Sequence, residues 1–452
     1  MRVCIVGSGV AGLQCADIMT KYGHICHIFE KSDGPGGVWR KNYDGYSLQV
    51  PSELYEFVKM PSEQVDQSFP SGQKVQEYIE KYITENKLFE TCHFHFCEEV
   101  VEADYDDSQW HVKTHLNDAA ESQSYRFDFC VIATGMYNKP HIPNEFMPYN
   151  PIHTSSFTDA SQVANKNVVV VGGGKSAIDC AVAASKYANK VTIVSREMHW
   201  PVPRYILGLI PFKWGTYSRL GHFLLPQHWD INDKEKRWHE LLRPVKYFVW
   251  RMLEDIFAFQ FGLSTRPRTP LEVDLFNGGQ ILTYEFKNAM KEKKIECARI
   301  SDTLLKEADV VVVGTGFSKT YEIFTQNIRN SLEIEYDGLW LYRNIIPIDV
   351  ERLAFIGSEV STFNNILTHY LQSQWLTHYL ENVSLLDNDT MRLRLEKERT
   401  WKRSWMPNTT SRASLIQLHM TKYHDTLLSD FNLPLRKYKW WQWFIPLTAR
   451  DY

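Results

Sequence analysis

The stretch RVCIVGSGVAG at residues 2–12 decides the fold of this chain. An apolar run typical of a β-strand passes directly into a glycine-rich turn, and a helical pattern follows to about residue 22. A second apolar run, residues 25–29, ends at Glu30. This order of strand, glycine turn, helix and strand is the βαβ unit that builds a parallel sheet.

The turn has the spacing G-x-G-x-x-G, and an acid follows the second strand. Gly7, Gly9 and Gly12 allow the backbone to approach a pyrophosphate at the helix N-terminus, where unpaired N–H groups attract anions. The carboxylate of Glu30 is placed to accept hydrogen bonds from ribose hydroxyls. We therefore predict a dinucleotide site in the first part of the chain.

A second unit of the same kind begins about 160 residues later, a spacing close to one domain length. An apolar run at residues 167–171 leads into GGGKSA at residues 172–177, in which Ala177 replaces the third glycine. After its second strand come Ser195 and Arg196, where a protein specific for NAD usually has an acid. A hydroxyl and a guanidinium suit the 2′-phosphate, so we predict NADPH here; the alternative is that Arg196 is a solvated surface charge.

Two further apolar runs end in similar signatures, ATG at residues 133–135 and GTG at residues 314–316. Each run would complete the sheet of one unit, which predicts an α/β fold with two Rossmann-like dinucleotide-binding domains, the second inserted into the first. The expected boundaries are 1–158 and 316–452 for the two parts of the outer domain and 159–315 for the inserted domain. An aromatic stretch at about 199–270, which contains Trp200, Trp214, Phe248 and Trp250, is a candidate lid or substrate wall.

Composition excludes several classes of protein. The 452 residues are 44% hydrophobic and 23% charged, as in ordinary globular proteins, and the net charge of -4 gives no general attraction to nucleic acid. The eight cysteines form no zinc pattern, and we expect no metal site. Because no leader and no run of 18 apolar residues is present, we expect a cytoplasmic protein. Its aromatic tail and residues 245–263 leave contact with a membrane surface or a homodimer open.

Three motifs give the chain a family resemblance. Glu30 followed by Gly36, Gly37 and Trp39 resembles the FAD half of flavin-containing monooxygenases. The stretch from His153 to Phe157 resembles part of the fingerprint of class B flavoprotein monooxygenases, although Tyr149 replaces its glycine. The stretches LQVPSELYEF at residues 48–57 and LAFIG at residues 353–357 look most like plant-type members.

The resemblance implies that the outer domain binds FAD and the inserted domain binds NADPH. It places Gln49 at the flavin edge where oxygen reacts, so Gln49 is our catalytic candidate, and it places Asn364 and Asn365 at a helix N-terminus that meets the flavin pyrimidine ring. The cofactor-binding residues that it implies, together with those named from the glycine motifs, are Gly7, Gly9, Ala11, Gly12, Glu30, Lys31, Gly37, Val38, Trp39, Gln49, Val101, Ala133, Thr134, Gly135, Gly172, Gly174, Lys175, Ser176, Ser195, Arg196, Thr315, Gly316, Asn364 and Asn365.

In the chemistry that the resemblance implies, NADPH reduces FAD, O2 adds at flavin C4a, and the resulting hydroperoxide oxygenates a small molecule. One expectation is oxygenation of the nitrogen or sulfur atom of a small amine, amino acid or thioether. A second is attack on a carbonyl, as in Baeyer–Villiger oxidation or decarboxylation of a 2-oxo acid. A third, from another class, is an NADPH oxidase or reductase; the absence of a C-x-x-C or C-x-x-x-x-C pair argues against a disulfide reductase.

Overall fold

Two five-stranded parallel sheets organise the protein. A computed structural model describes residues 1–61, 69–116, 122–196, 199–263, 265–277, 280–282, 284–361, 364–382, 387–406, 414–417, 419–433 and 440–452. The first sheet has the strand order Leu353–Phe355, Phe129–Ile132, Arg2–Val6, Ile25–Glu30 and His93–Phe96. The second has the order Ile295–Ala298, Lys190–Val194, Asn167–Val171, Val310–Val313 and Ile152–His153. The expected α/β fold is confirmed.

Apolar runs make these strands central. Val3, Ile5 and Val131 are fully buried in the first sheet, and Val170 and Val312 are fully buried in the second. A strand that is covered on both faces has a nearly continuous apolar sequence. Residues 2–6 and 167–171 have this pattern. Burial on both faces therefore fixes each sheet inside the molecule.

The first sheet draws its strands from both ends of the chain. Leu353–Phe355 pairs in parallel with Phe129–Ile132, so the chain returns to the first sheet after the second sheet is complete. The short strand Ile152–His153 pairs with Val310–Val313, so the second sheet takes a strand from before residue 159. Domain boundaries at residues 158 and 315 remain our proposal, although Ile152–His153, which precedes the first boundary, belongs to the second sheet.

Helices cover both sheets. Val10–Lys21, which begins directly after the first glycine turn, packs beside Asn365–Glu381, and the Gln14 amide donates a 2.8 Å hydrogen bond to the Ile366 carbonyl. The other α-helices are Gly72–Glu85, Leu88–Thr91, Lys175–Ala184, Phe212–Thr216, Arg219–Leu224, Asp233–Leu241, Arg243–Phe261, Leu271–Asn277, Tyr284–Lys291, Asp302–Lys306, Gln326–Ser331, Asn388–Trp405 and Met420–Ser429. No helix among the described residues is both long enough and apolar enough to cross a membrane.

Smaller elements surround the sheets. An antiparallel sheet of Glu98–Asp106, Gln109–Leu116 and Ser122–Phe127 follows the last strand of the first sheet. Four two-stranded pairs are Pro201–Pro203 with Gln280–Leu282, Tyr205–Ile206 with Ile210–Pro211, Lys139–Pro140 with Phe317–Ser318, and Val360–Ser361 with Ile416–Gln417. Short 3-10 helices are Gly37–Trp39, Ser52–Leu54, Asn144–Tyr149, Thr154–Ser156, Ala160–Val163, Trp440–Phe444 and Ala449–Asp451.

The aromatic insertion at residues 199–270 is mostly helical. Its tryptophans Trp200 and Trp250 are buried in the core, whereas Phe248 is 67% exposed. The side chain of Trp214 lies outside the described residues. Aromatic residues of the insertion therefore serve both the core and the surface.

Candidate functional site

One cleft of about 1490 Å³ runs between the two nucleotide units and is called the main cleft below. Its lining contains most of the residues that the sequence nominated. These are Gly7, Gly9, Ala11, Glu30, Lys31, Gly37, Val38, Trp39, Gln49, Ala133, Thr134, Gly135, Gly174, Lys175, Ser176, Gly316 and Asn365. Both glycine turns therefore open into the same cavity.

The first glycine turn lacks room for side chains. A Cβ on Gly12 would lie 2.0 Å from the Gly7 carbonyl oxygen, and Gly7 has a φ of 105°, a conformation that glycine adopts readily. A Cβ on Gly37 would lie 3.1 Å from the Gly9 Cα, so two glycine-bearing turns face each other. Gly9 caps the helix Val10–Lys21 without a side-chain hydrogen bond, which leaves backbone N–H groups for an anion. The cradle fits a pyrophosphate.

Glu30 is held in place by backbone and hydroxyl donors. One carboxylate oxygen accepts hydrogen bonds from the Ser8 N–H at 2.9 Å and the Ser8 hydroxyl at 3.0 Å, and the other accepts from the Ser32 N–H at 2.9 Å. The side chain is buried yet lines the main cleft. These donors fix an acceptor beside the glycine turn, as recognition of a ribose hydroxyl requires.

The loop that contains Gly36 and Gly37, called the second glycine loop below, is held in place by hydrogen bonds and aromatic residues. The Gly36 N–H donates to the Ser8 carbonyl at 3.0 Å, which ties this loop to the first turn. The Trp39 indole donates to the Tyr55 hydroxyl at 3.1 Å, and the Tyr46 hydroxyl donates to the Trp39 carbonyl at 2.8 Å. Trp39 is thus fixed on one side by hydrogen bonds while it lines the main cleft on the other.

The glycine turn of the second unit has the same construction. A Cβ on Gly172 would lie 2.5 Å from the Gly314 carbonyl oxygen, whereas a Cβ on Gly174 would meet nothing within 4 Å. Gly174 therefore faces open space in the main cleft. Ala177 packs directly against Gly314, because a Cβ on Gly314 would lie 2.6 Å from the Ala177 Cβ. Ala177 therefore fills the close-packing position of the third glycine.

A lysine adds charge to this second turn. The Lys175 ammonium is paired with Asp179 one helical turn later, and burial lowers the pKa of Lys175. Tyr43, from the first unit, donates a 3.0 Å hydrogen bond to the same carboxylate. A cation at the N-terminus of a helix suits a phosphate ligand.

Seven nominated residues lie outside the lining of the main cleft. Gly12, Gly172, Thr315 and Asn364 support residues that line it; Asn364 caps the helix Asn365–Glu381 by accepting from the Leu367 N–H at 3.1 Å. Val101 is exposed, and its neighbour Val100 lines the cleft instead.

Ser195 and Arg196 are exposed as well; the Arg196 side chain is 83% exposed and lies 3.4 Å from Glu145. The structure does not bring Ser195 and Arg196 together with the remaining candidates.

Gln49 lines the main cleft close to the contact between its own segment and the insertion. It lies between the buried residues Leu48 and Val50, and its own side chain is exposed in the cleft. Arg204 of the insertion donates a 3.0 Å hydrogen bond to the Ser47 hydroxyl, which joins the two elements. The apolar side chains that the insertion and nearby residues contribute to the lining are Ile206, Ile210, Phe212, Leu220, Leu224, Leu225, Trp250, Leu253 and Leu275.

His153 stabilises the second sheet's edge. One ring nitrogen lies 2.9 Å from the Gly316 carbonyl and the other 2.8 Å from the Ser155 hydroxyl, while burial lowers the pKa of His153. It does not line the main cleft. Its hydrogen bond to Gly316 positions a loop that does.

Glu359 and His369 are among the titratable lining residues that sequence reasoning missed. Glu359 is 4% exposed, its Oε1 accepts a 2.8 Å hydrogen bond from Gln372, and its Oε2 has no partner. Burial raises the pKa of Glu359 and lowers the pKa of His369, a second lining residue, to about 4. For Glu359, the position just after the strand Leu353–Phe355 was the available signal, since ligands bind at the carboxyl ends of parallel strands. His369 lies within the helix Asn365–Glu381.

Known proteins resemble this chain along nearly its whole length. A family model described as flavin-binding monooxygenase-like matches residues 1–433. A probable flavin-containing monooxygenase 1 of Arabidopsis thaliana is 26% identical, with 100% of this chain and 96% of the relative covered. Flavin-containing monooxygenase 3 of Rattus norvegicus is 26% identical, with 95% and 82% covered.

Solved structures share the fold. The S-allyl-L-cysteine S-oxygenase of Allium sativum superposes with a TM-score of 0.65 at 18% identity, covering 98% of this chain and 90% of that one. A cyclohexanone monooxygenase of Rhodococcus sp. Phi1 bound to NADP+ gives a TM-score of 0.66 at 15% identity, covering 95% and 96%.

Proposed function

The chain belongs to the flavin-binding monooxygenase-like family, and from this premise we propose that it uses FAD, NADPH and O2 to oxygenate the nitrogen or sulfur atom of a small amine, amino acid or thioether. One observation carries the proposal. The main cleft is lined by two separate glycine turns and by an apolar wall, so two nucleotide cofactors and a small substrate share one cavity.

Each of the two glycine turns would bind one of the two cofactors. Gly9, Gly37 and the Glu30 carboxylate would hold the diphosphate and ribose of FAD. Gly174, Lys175 and Ser176 would hold the diphosphate of NADPH at the second helix N-terminus. When bound, FAD accepts a hydride from NADPH and activates O2 at its C4a carbon.

The remaining work of the protein is to position groups and exclude water. The apolar residues of the insertion, among them Leu224 and Trp250, form a wall that keeps bulk water from the reacting atoms. Gln49 supplies an amide that can both donate and accept hydrogen bonds in the cleft. We assign Gln49 the role of stabilising the oxygen that is transferred.

We further propose that the reaction takes place in the cytoplasm. All eight cysteines are free thiols, and six of them are buried, which suits a reducing compartment. The substrate is a small molecule, and we propose no nucleic-acid partner because the net charge is -4.

Isotope labelling tests the function. The FAD-loaded protein is mixed with NADPH and 18O2 in the presence of a thioether, a tertiary amine or a cyclic ketone, and products are read by mass spectrometry beside NADPH and H2O2 assays. Labelled S-oxide or N-oxide supports the proposal. A labelled lactone without S- or N-oxide would move the enzyme to carbonyl oxidation. H2O2 equal to the NADPH consumed with all three substrates would make it an oxidase.

A further inference from the structure

The C-terminal segment 440–452, called the tail below, enters the main cleft. Phe444 lines the cleft beside the apolar wall of the insertion and is 53% exposed. The 3-10 helix Trp440–Phe444 packs against the insertion helix Arg219–Leu224, whose residues Leu220 and Leu224 also line the cleft. The tail is therefore part of the same wall as the insertion.

Specific contacts hold the tail in this position. The Arg450 guanidinium donates two hydrogen bonds of 2.9 Å to the carboxylate of Glu56, whose side chain is 1% exposed. The Leu447 N–H donates to the Tyr217 carbonyl at 3.1 Å. Leu447 and Ala449 are buried, and Thr448 and Asp451 cap the final helical turn. A bidentate pair on a buried carboxylate fixes geometry as well as charge.

These anchors bind the tail to two chain segments whose neighbouring residues, Tyr55 and Thr216, line the cleft. Glu56 belongs to the segment that carries Gln49, and Tyr217 belongs to the insertion. Phe444, three residues before Leu447, lines the same cleft as Gln49, whereas its neighbour Trp443 lies outside the lining, with its ring 6.4 Å from the ring of Phe223.

We propose that the tail completes the substrate site and that Phe444 limits the size of the substrate that reaches Gln49. This inference rests on the proposed function. The substrate class it names is an uncharged thioether or amine whose apolar substituent packs against Phe444 and the insertion wall. Because one methylene group in an apolar pocket changes selectivity by roughly 10- to 200-fold, a truncated phenyl ring should give a measurable shift.

The test compares two adjacent aromatic residues. Phe444→Ala, Phe444→Trp and the matched control Trp443→Ala are prepared as FAD-loaded proteins. For each, kcat/KM is measured with methyl phenyl sulfide and with the bulkier dibenzyl sulfide. We expect Phe444→Ala to raise the ratio of bulky to small substrate at least about tenfold and Phe444→Trp to lower it, with Trp443→Ala unchanged.

A second readout does not depend on turnover. The dissociation constants of both sulfides are measured from the change in the flavin absorption spectrum, so a wild-type protein that forms no S-oxide still reports on the tail. In that case the proposed function fails for sulfides. The binding ratio, which is the dissociation constant of the small sulfide divided by that of the bulky sulfide, still tests the role of Phe444. A ratio that is equal in Phe444→Ala and wild type, or that shifts equally in Trp443→Ala, overturns the inference.

The anchor gives an independent check. Arg450→Ala removes the bidentate pair with Glu56 without changing any lining residue. We expect faster cleavage of the tail in limited proteolysis and a shift of the binding ratio in the direction of Phe444→Ala. Faster cleavage without a shift of the ratio would contradict a role for the tail in substrate selection.

Discussion

Tyr43 and Asp179 join the two nucleotide units through a hydrogen bond of 3.0 Å from the phenol hydroxyl to the carboxylate. Tyr43 follows the second glycine loop of the first unit, and Asp179 lies on the helix Lys175–Ala184 of the second. Burial, with the nearby carboxylate, raises the pKa of Tyr43, so the hydroxyl remains a donor at physiological pH. Because Asp179 also pairs with Lys175, this contact positions the second phosphate cradle relative to the first.

Tyr43→Phe should weaken NADPH binding while FAD remains bound. The variant removes one hydrogen bond to a carboxylate, worth about 1 to 3 kcal/mol, and lets Asp179 and Lys175 shift. We expect a lower Tm and an NADPH Kd raised roughly fivefold or more, measured by calorimetry on the FAD-loaded protein. Tyr187→Phe, on the exposed surface, is the control. Equal NADPH affinity in Tyr43→Phe and wild type would show that the contact does not position the cradle.

Gln49→Leu should uncouple NADPH consumption from oxygenation. The substitution keeps the volume of the side chain but removes the amide, so we expect retained FAD, normal flavin reduction and more H2O2 per NADPH consumed. The ratio of H2O2 to NADPH, with thioether present, is the measurement. Gln73→Leu, at an exposed position of the helix Gly72–Glu85, serves as the control. Unchanged coupling in Gln49→Leu would remove Gln49 from the mechanism.

Arg196 provides the test of NADPH recognition. Its side chain is exposed and 3.4 Å from Glu145, so a 2′-phosphate would have to compete with that carboxylate. If Arg196 binds the phosphate, Arg196→Ala should raise KM for NADPH at least about tenfold with little effect on NADH, and Glu145→Gln should lower KM for NADPH. Steady-state kinetics with both nucleotides measure this. An equal effect of Arg196→Ala on NADPH and NADH would identify Arg196 as a solvated surface charge.

Local patterns explain why the fold could be predicted from the sequence. Each glycine turn stands between an apolar run and a helical pattern, and these neighbours alone determine the turn. Residues close to the glycine turns, such as Glu30 and Lys175, were therefore found from spacing. Parallel pairing of Leu353–Phe355 with Phe129–Ile132 joins runs that lie far apart in the chain, and the glycine patterns did not predict it.

Long-range packing explains what the sequence could not predict. Arg450 and Glu56 are 394 positions apart, and no periodicity relates them, so the entry of Phe444 into the cleft follows only from tertiary structure. Arg196 follows its strand as the NADPH pattern requires, yet its side chain is 83% exposed, and this exposure depends on tertiary packing that the sequence pattern does not contain. Glu359 has an ordinary surface residue type, and only its burial marks it as part of the site.

The fold should lose stability in mild acid, and His424 should contribute. This fully buried ring has one nitrogen 2.9 Å from the Thr368 hydroxyl, and burial, with His222 and Arg219 nearby, lowers the pKa of His424 to about 3. The unfolded chain binds the proton near pH 6.5, so stability from this residue is present above that pH and is lost progressively toward pH 3.

His424→Gln is the matched test of this acid sensitivity. Because His424 stays neutral in the folded protein while the unfolded chain binds a proton, the free energy of unfolding of the wild type should be about 2 kcal/mol lower at pH 5 than at pH 8. Glutamine at this position has no proton to bind, so the variant should not show this loss. Urea unfolding at pH 5 and pH 8 should therefore show a smaller difference for His424→Gln than for wild type. His115→Gln, on an exposed strand position, should keep the wild-type difference. An equal pH dependence in all three proteins would contradict the assignment.

Glu359 should respond to pH in the opposite direction. Burial raises the pKa of this carboxyl, so the folded protein holds its proton more tightly than the unfolded chain and stability falls as pH rises above the ordinary glutamate range. The positive charges of Lys319 and Lys402 oppose this rise of the pKa of Glu359. Glu359→Gln removes the buried charge and keeps an oxygen to accept from Gln372, so we expect a higher Tm than wild type at pH 8 and a similar Tm at pH 5.

Binding of FAD separates a structural role of Glu359 from a role in the site. Glu359 lines the same cleft as Gly9 and Gly37, and its Oε2 is buried without a hydrogen-bond partner. A buried oxygen without a partner gains most from a ligand that supplies a donor. If bound FAD supplies that donor, Glu359→Gln should raise the FAD Kd about tenfold in fluorescence titrations of the apoprotein, even though the protein itself becomes more stable. Glu351→Gln, on the exposed surface, should change neither quantity. A more stable Glu359→Gln variant with unaltered FAD affinity would show that the carboxyl serves only the packing of Gln372.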